Sequence, residues 1–197
     1  MRIDSEKCVA CGSCLPYCPM GAISIINNVA TINDDECVEC GLCLNSAGCS
    51  MDAVYQNELS WPRILRSQFS NPLIPTATGV TGRGTEEMKT NDVTNRYKEG
   101  MFGLGIELGR PGTGSRLYNV QTVAMAMAEF VTEFEPANPV TQIMEDTRTG
   151  KLRDEVLNEK VLSAIVEFTA PLENLPAVLS KLKELGYIKQ KSFETKS

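Results

Sequence analysis

The sequence predicts an α+β chain in three stretches: a cysteine-rich domain over 1–57, an irregular connecting arm over 58–100, and a β-α-β-β-α-β domain over 101–197. Three observations carry this. All eight cysteines lie between Cys8 and Cys49. No helical or strand period persists through 58–100, where prolines and glycines recur. From 101 onward, apolar residues alternate between strand spacing and helical spacing in the split βαβ order.

The cysteines form two runs, CVACGSCLPYCP at 8–19 and CVECGLCLNSAGC at 37–49. The first is C-x2-C-x2-C-x3-C-P, the spacing of bacterial iron–sulfur ligation; the second keeps its first three positions and lengthens the last gap to five residues. Two full sets of soft thiolates are enough for two [4Fe–4S] clusters. The runs are also an internal repeat. A shift of 29 lays Ile3 on Ile32, Cys8 on Cys37, Gly12 on Gly41 and Leu15 on Leu44; a shift of 31 then lays Cys18 on Cys49, Ala22 on Ala53 and Ile23 on Val54. Each half reads as strand, cysteine loop, helical turn and strand. Gly12 and Gly41 fall where the backbone would pass close to a cluster.

Structural zinc fits this spacing poorly, because it commonly takes two well-separated C-x-x-C pairs. Four disulfides would require a secreted context, and the start MRIDSEKC offers no apolar signal segment. The chain has no histidine, which removes Rieske and Cys/His zinc sites.

These runs resemble the two-cluster bacterial ferredoxins over roughly the first 57 residues. The resemblance implies crossed ligation: Cys8, Cys11, Cys14 and Cys49 on one cluster, Cys37, Cys40, Cys43 and Cys18 on the other. It implies electron transfer as the function. The chain departs from the family at Cys49, which is followed by Ser50 and Met51 where Cys18 is followed by Pro19. Unequal potentials are therefore expected.

Charge is unevenly placed. Residues 1–60 carry Arg2 and Lys7 against eight carboxylates, so the whole net charge of −6 lies there. An acidic face beside a redox centre would steer it to a basic partner surface, or simply keep the domain soluble. No basic stripe suggests nucleic acid, and no run approaches the roughly 18 apolar residues of a membrane span. Reduced thiols point to a cytoplasm, and to an anaerobe.

The arm carries Trp61, Ile64, Leu65, Phe69, Leu73 and Ile74, with a turn or two of helix expected around Arg63–Phe69. Two readings stand: a segment folded back over its own domains, or an arm ordered on a partner subunit through Trp61 and Phe69.

In the C-terminal stretch, MFGLGIEL at 101–108 reads as a strand, followed by the turn GRPGTG. Val120, Val123, Ala124, Met127, Val131 and Phe134 read as a helix of about four turns. Strands are expected near 140–144, over 161–168 and from Tyr187 to Phe193, with a helical stripe from Leu172 to Leu185. By topology alone the order is ferredoxin-like, as in ACT domains. GRPGTG with Arg110 and Arg116 could bind an anion or be a plain turn. Met101, Met125, Met127 and Met144 read as core filler.

The expected function is electron transfer, as a dedicated iron–sulfur subunit of an anaerobic oxidoreductase complex passing single low-potential electrons to or from a catalytic partner. Its alternative is a redox- or metabolite-sensing regulator whose ACT-like domain binds a small molecule. The C-terminal domain could also serve as a homo-oligomer platform. No catalytic constellation is read outside the clusters, so independent turnover is not expected.

Overall fold

The computed structural model describes residues 1–73, 98–109 and 112–194, the last eight of these by backbone only. Its elements in chain order are β1 (Arg2–Ile3), β2 (Ile23–Ile26), β3 (Val29–Ile32), α1 (Leu42–Asn45), β4 (Val54–Tyr55), α2 (Ile64–Ser70), β5 (Met101–Leu108), β6 (Ser115–Arg116), α3 (Leu117–Met127), β7 (Glu133–Phe134), α4 (Pro139–Gln142), β8 (Met144–Asp146), β9 (Lys151–Leu152), β10 (Lys160–Val161), β11 (Ala164–Pro171) and α5 (Leu175–Glu194). Contacts divide it into two units that cut across the linear division 1–57, 58–100 and 101–197. The first takes in the described parts of 1–82 together with those of 108–117 and 158–164; the second holds the rest. Contiguous stretches are what a linear reading assumes, and sequence periodicity does not reveal which strands cross over.

In the first unit the repeat is visible in the backbone. β1 pairs antiparallel with β4, and β2 with β3 through the two-residue turn Asn27-Asn28. Both asparagines take positive φ, 50° and 60°, the geometry of a type I′ hairpin, which asparagine tolerates well. Ala10 and Glu39 both have φ 55°, and Gly12 and Gly41 have φ 78° and 76°. Each of these pairs is related by the 29-residue shift. Hydrogen bonds repeat as well: Cys8 N–H donates to Asp4 O and Cys37 N–H to Asn33 O, both at 3.0 Å.

α2 forms where a turn or two of helix was expected, and it buries Leu65, Arg66, Phe69 and Ser70 within the first unit. Over 58–73 the arm is therefore folded back on its own chain. Phe69, expected as a partner anchor, is 3% exposed and unavailable for that; Trp61 is 45% exposed. The remainder of the arm, 74–97, lies outside the described residues. β10 pairs with β6 and packs against α2, and Ser70 Oγ accepts the Leu162 N–H at 2.8 Å.

The turn before β6 closes on itself. Thr113 and Gly114 donate their N–H groups to Gly109 O at 3.1 and 3.0 Å, so these two amides of GRPGTG are spent internally and not aimed at an anion. Arg110 lies outside the described residues.

The second unit is built on a three-stranded sheet ordered β5-β11-β7. Ala164, Val166, Phe168 and Ala170 bury one alternating face of β11, with Phe102 and Phe134 edge-on to Phe168 at 6.5 and 6.1 Å. α3 buries Leu117, Val120, Val123, Ala124 and Met127.

Three expected elements differ. The first helix stops at Met127, and Phe134 reaches the core from β7, paired with Phe168, instead. Residues 139–142 are helical, because Asn138 caps the turn by accepting the Val140 N–H at 2.8 Å and Pro139 sits at the first helical position. Residues 187–194 continue α5 where a last strand was expected, so the second unit ends on a helix. Of the methionines read as core, Met127 and Met144 are buried, while Met125 is half-exposed.

Candidate metal centres

Two cavities stand in the first unit. One is lined by Cys8, Cys11, Cys14 and Cys49 with Ile3, Ala30 and Val54; the other by Cys18, Cys37, Cys40 and Cys43 with Met1, Ile23 and Ile32. Each gathers three thiols from one run and the fourth from the other run. The atom-free space is about 370 and 320 Å³ respectively, part of it open to solvent.

The local chain explains the placement. Positive φ at Ala10 and Gly12, and again at Glu39 and Gly41, curls each C-x-x-C-x-x-C stretch into a loop. In L-residues other than glycine this conformation costs on the order of 1 kcal/mol and persists where surroundings over-determine it. A Cβ on Gly41 would come 3.0 Å from Asn45 Nδ2 and 3.1 Å from Asn71 Nδ2. The fourth cysteine of each set follows a short helical turn and accepts a backbone N–H on sulfur: Ala22 to Cys18 at 3.2 Å, Ala53 to Cys49 at 3.4 Å. Ala30 likewise donates to Cys8 Sγ at 3.4 Å. Such N–H donors stabilise sulfur that carries negative charge.

Burial pushes the Cys14, Cys37 and Cys40 thiols up, and the Cys43 thiol up to about 12. The exposed Cys11 thiol is instead lowered, chiefly by its hydrogen bond with Ser13, Sγ to Oγ 3.4 Å. A thiol held protonated this far binds metal only by surrendering its proton, so loading the second set releases protons. Among the described residues no three Cys, Asp or Glu side chains converge tightly enough to hold a single ion. Four soft donors lining each cavity, with N–H donors on the sulfurs of Cys8, Cys18 and Cys49, fit the ligation of a four-iron cube.

The second loop carries a charge network that the spacing of the cysteines did not reveal. Glu39 is fully buried between Cys37 and Cys40. Its carboxylate meets the Met1 ammonium, Arg63 Nε at 2.9 Å, Arg63 Nη2 at 2.6 Å and Gln56 Nε2 at 3.2 Å. Burial alone would push this carboxyl up; the ammonium and the guanidinium outweigh it and leave it below the usual range. Arg66, also buried, donates through Nη1 to Asp34 O, Asp35 O and Cys37 O at 3.0, 2.9 and 2.8 Å, and through Nε to Glu159. Arg116 holds Asp35 at 2.6 Å and Glu36 at 3.3 Å, and Lys160 holds Glu36. These partners keep both carboxyls below the ordinary range. The one sequence signal was the charge imbalance, which said nothing of who pairs with whom.

A duplicated strand–loop–strand framework carrying paired thiol sets is a 4Fe–4S-binding domain of bacterial ferredoxin type. Residues 1–24 match the family described as 4Fe-4S binding domain. The chain is also similar to two sequences of Ferredoxin-1 from Rhodobacter capsulatus, 50% identical to each over 35 residues, which is 18% of this chain and 54% of theirs. It thus spans about half the length of these curated relatives. No solved structure matches the chain. Among the described residues no helix is long and apolar enough to cross a membrane.

Proposed function

We propose that the first unit carries two [4Fe–4S] clusters, on Cys8, Cys11, Cys14 and Cys49 and on Cys37, Cys40, Cys43 and Cys18. The protein is then the iron–sulfur component of an oxidoreductase complex, relaying single electrons to or from a catalytic partner. Bound clusters supply one-electron redox chemistry; the chain supplies thiolates, N–H donors to sulfur, burial and a docking surface. The observation that carries this reading is the pair of cavities, each lined by three thiols of one run and one of the other. A reducing cytoplasm, such as an anaerobe's, suits eight thiols of which none is joined in a disulfide. Anoxic purification followed by iron and sulfide analysis tests it. About eight of each per chain supports two clusters, and zinc in place of iron refutes the reading.

A further inference from the structure

The two thiol sets differ in exposure. In the second set Cys37, Cys40 and Cys43 are buried and Cys18 half-buried; in the first Cys14 is buried, Cys8 and Cys49 are half-buried and Cys11 is exposed. The first cavity also has an open apolar rim. Val9 and Met51 line it and are 61% and 44% exposed. Ile25, 43% exposed, adjoins the lining residue Gly12: its Cδ1 lies 3.9 Å from where a Cβ on Gly12 would stand.

Charge separates the sites further. Asp34, Asp35, Glu36 and Glu39 on the second loop all meet cations of this chain. The carboxylates nearest in sequence to the lining of the first cavity are Asp4, Glu6 and Asp52; Glu6, two residues before the lining Cys8, donates its N–H to Asp4 Oδ1 at 3.0 Å. Asp4 follows the lining residue Ile3 and its N–H donates to Ala53 O at 2.8 Å; Asp52 sits between the lining residues Met51 and Ala53. Lys7, 3.6 Å from Asp4, is the cation recorded against this group among the described residues. The exposed lining of the second cavity, Tyr17, lies in the run 8–33, which holds no charged residue.

We propose that the face made by Val9, Cys11, Ile25 and Met51, ringed by Glu6 and Asp52, is where a redox protein with a basic rim around its own cofactor docks. An apolar centre inside a charged rim is the anatomy of a specific transient interface, and the unneutralised carboxylates supply the steering. A cluster held by Cys8, Cys11, Cys14 and Cys49 would exchange one electron with the partner's cofactor, one being oxidised as the other is reduced, with no bond or proton moving. The second set, under its arginines, is the inner relay. This rests on the two-cluster reading above.

The test uses the full chain, prepared without oxygen and reduced with dithionite, mixed in stopped flow with cytochrome c as a basic one-electron acceptor. Iron content and extent of reduction are measured first; a chain that cannot be loaded and reduced overturns the two-cluster reading and this proposal with it. On loaded protein, Glu6→Lys combined with Asp52→Asn should slow cytochrome c reduction roughly tenfold or more at low salt, the difference closing as salt rises. Asparagine is chosen at 52 because the backbone there has φ 46°. Glu155→Lys and Glu173→Lys, exposed in the second unit, should leave the rate unchanged. The proposal fails if the rim variant stays within twofold of the parent, or if the control variants slow as much. It fails equally if NMR shift changes on adding cytochrome c centre on Tyr17 and Pro19 and not on Val9 and Met51.

Discussion

Arg66→Met probes a buried arginine that makes four hydrogen bonds beside the second thiol set. Methionine keeps much of the apolar stem and removes the guanidinium fork. That fork donates to the carbonyls of Asp34, Asp35 and Cys37 and pairs with Glu159, with the two charged side chains 6% and 13% exposed. Hydrogen bonds to a charged group contribute about 1.5–3 kcal/mol each, but three of these share Nη1, so their sum overstates the effect. Removing one partner of a buried pair costs about 3–5 kcal/mol, and that range is the better guide. At about 1.4 kcal/mol per factor of ten, cluster loss gated by opening of the 34–37 loop should accelerate roughly a hundred- to several-thousandfold. The assay is anoxic bleaching of iron–sulfur absorbance in the presence of a chelator, with EPR to show which site empties first. The second site should empty first. Adding Glu159→Gln should cost less than additivity, since the carboxylate no longer lies buried and unpaired. A rate within threefold of the parent, or equal loss from both sites, refutes the reasoning.

Three further outcomes are expected. Cys18→Ala should damage the site of Cys37, Cys40 and Cys43, and Cys49→Ala that of Cys8, Cys11 and Cys14; paramagnetic NMR showing each substitution harming its sequence-local site would contradict the crossed sets. Gly114→Ala should destabilise the first unit by about 1–3 kcal/mol, read from thermal loss of cluster absorbance, because φ is 65° and the new Cβ would stand 2.8 Å from Met20 Sδ and 3.1 Å from Val161 O. Stripping the iron should expose the Ala22, Ala30 and Ala53 amides to hydrogen exchange, while α3 and β11 of the second unit keep their protection.

Much of the first unit was legible because ligand spacing and repeat symmetry are local properties. The shift that aligns the cysteines also aligns the left-handed positions 10 with 39 and 12 with 41. α2 showed as a short apolar stretch inside an otherwise irregular arm. What covers the second loop was not legible. Arg66 and Glu159 are 93 positions apart and Arg116 and Asp35 are 81, and such pairs leave no spacing signal. The same reason hid the transfer of 108–117 and 158–164 to the first unit. In the second unit, Tyr187, Ile188 and Phe193 suggested a strand by composition, yet Lys189, Gln190 and Lys191 between them favour helix, and the backbone continues the helix that begins at Leu175. Residues 140–144 misled in the same way, since valine, isoleucine and methionine outweighed the Asn138-Pro139 cap signal.

Mössbauer and EPR spectroscopy on iron-57-enriched, anoxically purified protein tests the central claim most directly. Two crossed thiol sets predict about eight irons per chain, all in four-iron environments, and a spin-coupled EPR signal on full reduction because both clusters share one small domain. About four irons with an uncoupled single-cluster signal, or zinc bound in place of iron, would contradict it.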